Sequence, residues 1–247
     1  MSALRQLDLI LRGEPLRDRS AVAFALGPLV VLNVILAATY GACVGAFAVL
    51  GRDEPEWRQV LASAVKVPLL FVVTLAVTLP SLYVFAALLG SRFRLIDLLR
   101  VVAAGTSVIV ALLASFGPIV AFFAVSSTSY PFILLLNVAV FAVAGGFGAS
   151  YLYRAALHAI PPVEPPVESD PDDRPRARRA DDGVGKLFLV WVTVFGLVGA
   201  QTGWILRPFV GSPDLPFTWF RPKQGSFFEG VGKSLESLLG TSRGRSR

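Results

Sequence analysis

The chain has 247 residues, of which 54% are hydrophobic and 16% charged, with a formal net charge of +6 and a mean hydropathy of +0.65. Ordinary soluble domains are about 45–50% apolar and about 25% charged, so this is the composition of a membrane protein. The single cysteine, Cys43, excludes an intramolecular disulfide and a cysteine-based metal cluster.

In chain order, residues 1–20 form an amphipathic amino-terminal segment. LRQLDLILR (4–12) places Leu4, Leu7, Ile10 and Leu11 at helical spacing with arginines on the other face. That pattern suits a short helix in the cytoplasmic headgroup layer, and equally a stub leading into the first span. Residues 21–158 form a four-helix transmembrane region. Runs without Asp, Glu, Lys or Arg lie at about 21–51, 67–91, 101–153 and 187–206, and a spanning helix needs only about 20 such residues. SSTSYP (126–131) divides the longest run into two helices. The runs are apolar on every face, which sets a β-barrel aside. The first run is also longer than the core of a cleavable signal peptide.

Residues 159–185 are rich in proline and charge, which predicts a disordered polar cytoplasmic linker. Its RPRARR suits anionic headgroups, but the neighbouring ESDPDD offsets the charge and favours a solvated linker. Residues 186–207 form the fifth span, and 208–247 an aromatic interfacial segment followed by an amphipathic helix and a basic tail. SFFE (226–229) has the form of a capping box, and Gly240 supplies a stop. The expected fold class is therefore all-α and polytopic, with about five transmembrane helices and interfacial amphipathic helices.

Basic residues near the span ends set the orientation. Arg5, Arg12, Arg17 and Arg19, then Arg92, Arg94 and Arg100, then Arg154, Arg174, Arg176, Arg178, Arg179 and Lys186 fall on one side in a five-span arrangement. The amino terminus is then cytoplasmic and the tail outside, although the tail itself carries Arg207, Arg221, Lys223, Lys233, Arg243, Arg245 and Arg247. The expected location is the bacterial inner membrane.

No motif specifies a reaction. All seventeen acidic residues lie outside the spans, which speaks against a carboxylate-based pump. Lys66, at the start of span two, reads as a snorkelling residue. His158 is the sole histidine and cannot assemble a metal site. No cofactor or metal is expected. GGFGAS (145–150) lacks the P-loop lysine, and its small residues at 145, 146, 148 and 149 suit close helix packing. Asn33, Asn137, Thr74, Thr78, Ser81, Thr106, Ser107, Ser115 and Gln201 are expected to bridge helices, and Pro68, Pro80 and Pro118 to break or kink spans two and three.

QTGWILRPF (201–209) closes the fifth span and admits two readings. As an exit anchor, Trp204 sits at headgroup depth, Arg207 reaches phosphate or the last helix carbonyls, and Pro208 ends the helix. As a site, Gln201, Trp204 and Arg207 bind a lipid headgroup or a partner protein.

KVPLLFVVTLAVTLPSLYVFAALLGSRF (66–93) and QTGWILRPFVGSPDLPFTWFRPKQGSFFEGV (201–231), in that order, resemble a family of uncharacterised bacterial multi-pass membrane proteins. Q-x-G-W-x-L-R-P-F at 201–209 is the most specific part of that resemblance. Members sometimes carry an actin-binding WH2 label, but GKSLESLLG has no LKKT-like basic element to match it. A looser similarity, in span count and a proline-containing second span, is to the five-span Yip1 family, whose roles lie in membrane trafficking. The resemblance implies architecture and brings no activity.

The expected function is a non-catalytic membrane-organising or complex-assembly component. A small transporter or channel subunit is the alternative, and a membrane-embedded lipid enzyme using Asp97, Asp214, His158 or Arg207 the third. The expected partners are the bilayer, anionic headgroups and other membrane proteins, with no nucleic acid among them.

Overall fold

The computed structural model describes residues 2–14, 25–46, 49, 57–88, 94–127, 129–159, 174–207, 209, 219 and 225–239, and among these it forms seven helices and no strand. They are α1 (Ala3–Arg12), α2 (Leu26–Gly45), α3 (Trp57–Leu88), α4 (Leu95–Ser126), α5 (Tyr130–Ala159), α6 (Arg174–Leu206) and α7 (Phe227–Leu238). Five of them are long and apolar enough to cross a bilayer, over Leu26–Gly45, Trp57–Phe85, Leu95–Ser126, Tyr130–Ala155 and Leu189–Leu206. The protein is thus an all-α, five-span membrane protein. Val31, Val72, Phe122, Phe147 and Val190 point outward from these helices, each more than half exposed. In water such a surface would drive association, whereas hydrocarbon solvates it.

The helix ends depart from the apolar runs. α3 begins at Trp57 and takes in Arg58, Gln59, Ser63 and Lys66, and α4 begins at Leu95 and takes in Arg100. Both are 32 residues long, or about 48 Å at a rise of 1.5 Å per residue, against a hydrocarbon layer of about 30 Å. Their polar ends therefore reach the headgroups while the backbone stays helical. α6 begins at Arg174, so residues 174–185 are helical where the composition predicts a disordered linker. Pro175 falls in the first turn, where a missing N–H costs nothing, and the alanines and arginines after it are good helix formers. Residues 160–173 of that linker lie outside the described residues. The expected breaks at Pro68, Pro80 and Pro118 do not occur, since α3 and α4 run through all three. The expected turn between the fourth and third spans holds: α4 ends at Ser126 and α5 starts at Tyr130, with Pro131 in its first turn.

The chain divides into two compact units, and α2 to α6 each contribute residues to both. The first comprises Met1–Asn33, Leu75–Ile109 and Gly145–Gly196. Its core holds Ile10, Leu29, Leu82, Leu98, Leu152 and Trp191. Asn33 Nδ2 donates to the Ala103 carbonyl at 3.1 Å, and Trp191 Nε1 to the Thr78 carbonyl at 2.9 Å, so two side chains tie neighbouring helices by their backbones. Gly148 lies against Ile109 and within reach of the Gly105 carbonyl, and Gly105 lies against Leu152. Of the small residues at 145–149, Gly148 therefore makes the close approach, while Gly145 and Gly146 face open space. α1 docks on this unit through Gln6 and Ile10, capped by Ser2 and closed by Gly13 at φ 70°.

The second unit comprises Val34–Thr74, Val110–Ala144 and Leu197–Arg247. Tyr40 donates its hydroxyl to Asn137 Oδ1 at 2.8 Å and meets Phe141 edge to face, with ring centroids 5.6 Å apart. Gly41 and Gly45, one turn apart on α2, face α3 so closely that a Cβ on Gly41 would lie 2.9 Å from Ala64 Cα and one on Gly45 2.7 Å from Val60 Cα. G-x-x-x-G spacing allows this backbone-to-backbone approach. Several of the hydroxyls expected to bridge helices bond within their own helix: Thr74, Thr106, Ser107 and Ser115 each donate to the carbonyl four residues back. A short hydroxyl reaches its own helix more easily than a neighbour.

Candidate functional site at the exit of the fifth span

The site lies wholly in the second unit, where α6 ends and the chain returns towards α3. Three donors on α3 meet that returning chain. Gln59, Ser63 and Lys66 are four and three residues apart, which puts them on one helical face. Ser63 Oγ donates to the Phe209 carbonyl at 2.6 Å, and Gln59 Nε2 to the same oxygen at 3.1 Å. Gln59 Nε2 also reaches Ser63 Oγ at 3.3 Å. Lys66 Nζ donates to the Trp219 carbonyl at 2.5 Å.

All three donors are almost fully inaccessible, Lys66 at 1% exposure. This corrects the snorkelling reading of Lys66: its ammonium turns inward to a carbonyl brought from 153 residues away. An ionisable group closed off from water at the edge of the hydrocarbon is costly unless it has such a partner.

A second set of contacts joins the end of α6 to the start of α7. Trp204 Nε1 donates to the Gly225 carbonyl at 3.0 Å, and Gly230 in the first turn of α7 lies against the far edge of the indole. Arg207 Cζ stands 3.8 Å from the centroid of the Trp204 ring, within cation–π range. Gly225 has φ 70°, and Ser226 caps α7 by accepting from the Glu229 N–H at 3.4 Å. The hydrogen bond from Lys233 Nζ, at 2.6 Å, holds the Glu229 carboxyl below its ordinary pKa. α7 ends at Leu238 with Leu239 as its C-cap, and Gly240 lies outside the described residues.

Of the three residues singled out in the sequence, the structure brings Trp204 and Arg207 together, guanidinium over ring. Gln201 sits one turn earlier on α6 with a half-buried side chain, and Thr202 beside it is buried. Among the groups considered for catalysis, Asp97 pairs with Arg100 at 3.4 Å, and His158 lies in the last turn of α5. Asp214 lies outside the described residues. Among the described residues no three His, Cys, Asp or Glu side chains come together as a metal site. The donor triad on α3 escaped the sequence reading, although its 59/63/66 spacing was visible. Its acceptors are backbone carbonyls, and these carry no side-chain signature.

Compared with family models, curated proteins and solved structures, the chain matches none.

Proposed function

We propose that the protein is a non-catalytic component of the bacterial inner membrane that organises the membrane or assembles a complex within it. One observation carries the reading: the strongest polar side chains in the spans serve the chain's own architecture. Asn33, Lys66 and Trp191 donate to backbone carbonyls of other segments, and Tyr40 donates to Asn137. Groups used in this way fix helix positions, and the apolar outer surface is left for lipid or for other membrane proteins. A solute path would place such groups along a cavity. The blocks at 66–93 and 201–231 support grouping the chain with the bacterial multi-pass family they resemble.

The test is purification in mild detergent with identification of the proteins and lipids that accompany the chain. A stoichiometric membrane-protein partner is the expected result. The Gln201→Leu, Arg207→Lys double variant should release that partner with thermal stability near wild type, because lysine cannot reproduce the planar guanidinium of Arg207. Retention of the partner by the double variant would leave Trp204 and Arg207 as an exit anchor only. Solute uptake or lipid turnover by the purified protein in vesicles would overturn the proposal.

Orientation belongs to the same reading. With five spans and the basic residues of the first twenty positions on the cytoplasmic side, cysteines replacing Ser169 and Ser242 in a Cys43→Ser background should be labelled from opposite sides of the membrane. Labelling of both from the cytoplasm would sink this topology.

A further inference from the structure

We propose that the apolar face of α7 lies in the headgroup boundary of an anionic lipid surface, as a foot held at the end of the fifth span. The inference rests on the five-span architecture and is independent of the assembly reading.

Its first support is position. Trp204 is two residues from the end of the span Leu189–Leu206, and its indole both bonds the Gly225 carbonyl and packs on Gly230. The first turn of α7 is therefore one side chain away from the point where α6 leaves the hydrocarbon. A helix held there lies at headgroup depth.

The second support is how the faces of α7 are divided. Phe227, Gly230, Val231, Gly232 and Ser234 are half-buried. Phe228, Leu235, Leu238 and Leu239 form an adjoining exposed arc, with Leu239 at 70% exposure. Glu229, Lys233, Glu236 and Ser237 occupy the remaining face and are exposed. α1 is divided in the same way, with Gln6 and Ile10 buried, Leu4 and Leu11 exposed, and Arg5, Asp8 and Arg12 on the charged side. Three faces for protein, acyl chain and water are what a helix lying in an interface requires.

Charge and area then select the occupant. Residues 208–247 carry six basic side chains (Arg221, Lys223, Lys233, Arg243, Arg245, Arg247) against three acidic ones (Asp214, Glu229, Glu236), a balance that an anionic surface attracts. A second copy is a poor fit. A 12-residue helix offers an apolar strip about 18 Å long and about 10 Å wide, well short of the roughly 800 Å² per partner of a stable interface.

The test uses the full-length protein in a Cys43→Ser background, reconstituted into phosphatidylcholine vesicles with and without phosphatidylglycerol. A nitroxide is placed on a cysteine at Leu235 or at Ser237, both exposed, so folding is spared. The label at 235 should be reached by oxygen and shielded from a water-soluble nickel chelate, and the label at 237 should show the reverse. Phosphatidylglycerol should increase the contrast several-fold, and Arg243→Gln, Arg245→Gln, Arg247→Gln should remove that increase. Equal nickel access at both positions would show the arc facing water and overturn the proposal. Spin–spin broadening at 235 would assign the face to a second copy, an immobilised label shielded from both reagents would assign it to protein, and identical contrast in the two lipids would overturn the anionic assignment.

Discussion

Gly41→Ala should destabilise the protein by about 3 kcal/mol, at the upper end of the usual cost of overpacking, while Gly145→Ala leaves it near wild type. The difference lies in what a single methyl group meets. At Gly41 it meets the backbone carbonyl of Ser63 and lies 2.9 Å from Ala64 Cα, whereas at Gly145 nothing lies within 4 Å. Backbone cannot rotate away, so α2 and α3 must separate. Without a hydrophobic force between helices in lipid, their association depends on that close fit. The Tyr40–Asn137 bond and the Tyr40–Phe141 contact begin one residue before Gly41 and would be disturbed with it. Gly105→Ala provides the contrast, because its methyl would meet the end of the Leu152 side chain. Leu152→Ala should therefore rescue Gly105→Ala, whereas Ser63→Gly should not rescue Gly41→Ala. Thermal unfolding in detergent reads all five variants, and equal tolerance of alanine at 41 and 145 would show that α2 and α3 do not meet as described.

The same glycines show where the sequence was legible. Five spans could be read because an uninterrupted apolar run of about 20 residues has few other uses. α1 could be read because its apolar residues recur with the helical period. Span ends were less visible. α3 continues ten residues ahead of its apolar run through Gln59, Ser63 and Lys66, because polar residues in a membrane helix are tolerated when a partner comes to them. The partners, the carbonyls of Phe209 and Trp219, lie about 150 residues away. Neither periodicity nor composition reports contacts over such a separation.

G-A-C-V-G at 41–45 carries the G-x-x-x-G signal for close packing as legibly as the small residues of GGFGAS do. Of that block, Gly148 fulfils the role through its contacts with Ile109 and Gly105. The candidate site was half legible for the same reason. Trp204 and Arg207 are three residues apart on one helix, so local spacing places the guanidinium near the ring. The bond from Trp204 to Gly225, by contrast, depends on how the chain returns after α6.

Lys66→Met should loosen the segment that follows the fifth span, although hydropathy alone predicts the opposite sign. A lysine in a spanning helix costs about 2.5–3.5 kcal/mol on insertion scales, so removing the charge from a merely snorkelling residue would be neutral or stabilising. In the structure Lys66 is 1% exposed and donates to the Trp219 carbonyl. Methionine fills a similar volume without a donor, which removes a charged hydrogen bond worth about 1.5–3 kcal/mol. Lys66→Arg should not restore the wild type, because a planar fork does not replace a compact ammonium in a closed site, whereas a snorkelling position would accept arginine silently. Gln59→Leu with Ser63→Ala removes the donors to Phe209 and should act in the same direction. The reporter is Phe209→Cys in a Cys43→Ser background, which keeps the 209 carbonyl while adding a thiol. Its labelling rate should rise about tenfold when Gln59 and Ser63 are replaced, and a smaller rise should accompany Lys66→Met, whose carbonyl partner lies ten residues further on. Unchanged labelling in both, with Lys66→Met as stable as the parent, would return Lys66 to the headgroup layer and leave the exit of the fifth span to Trp204 and Arg207 alone.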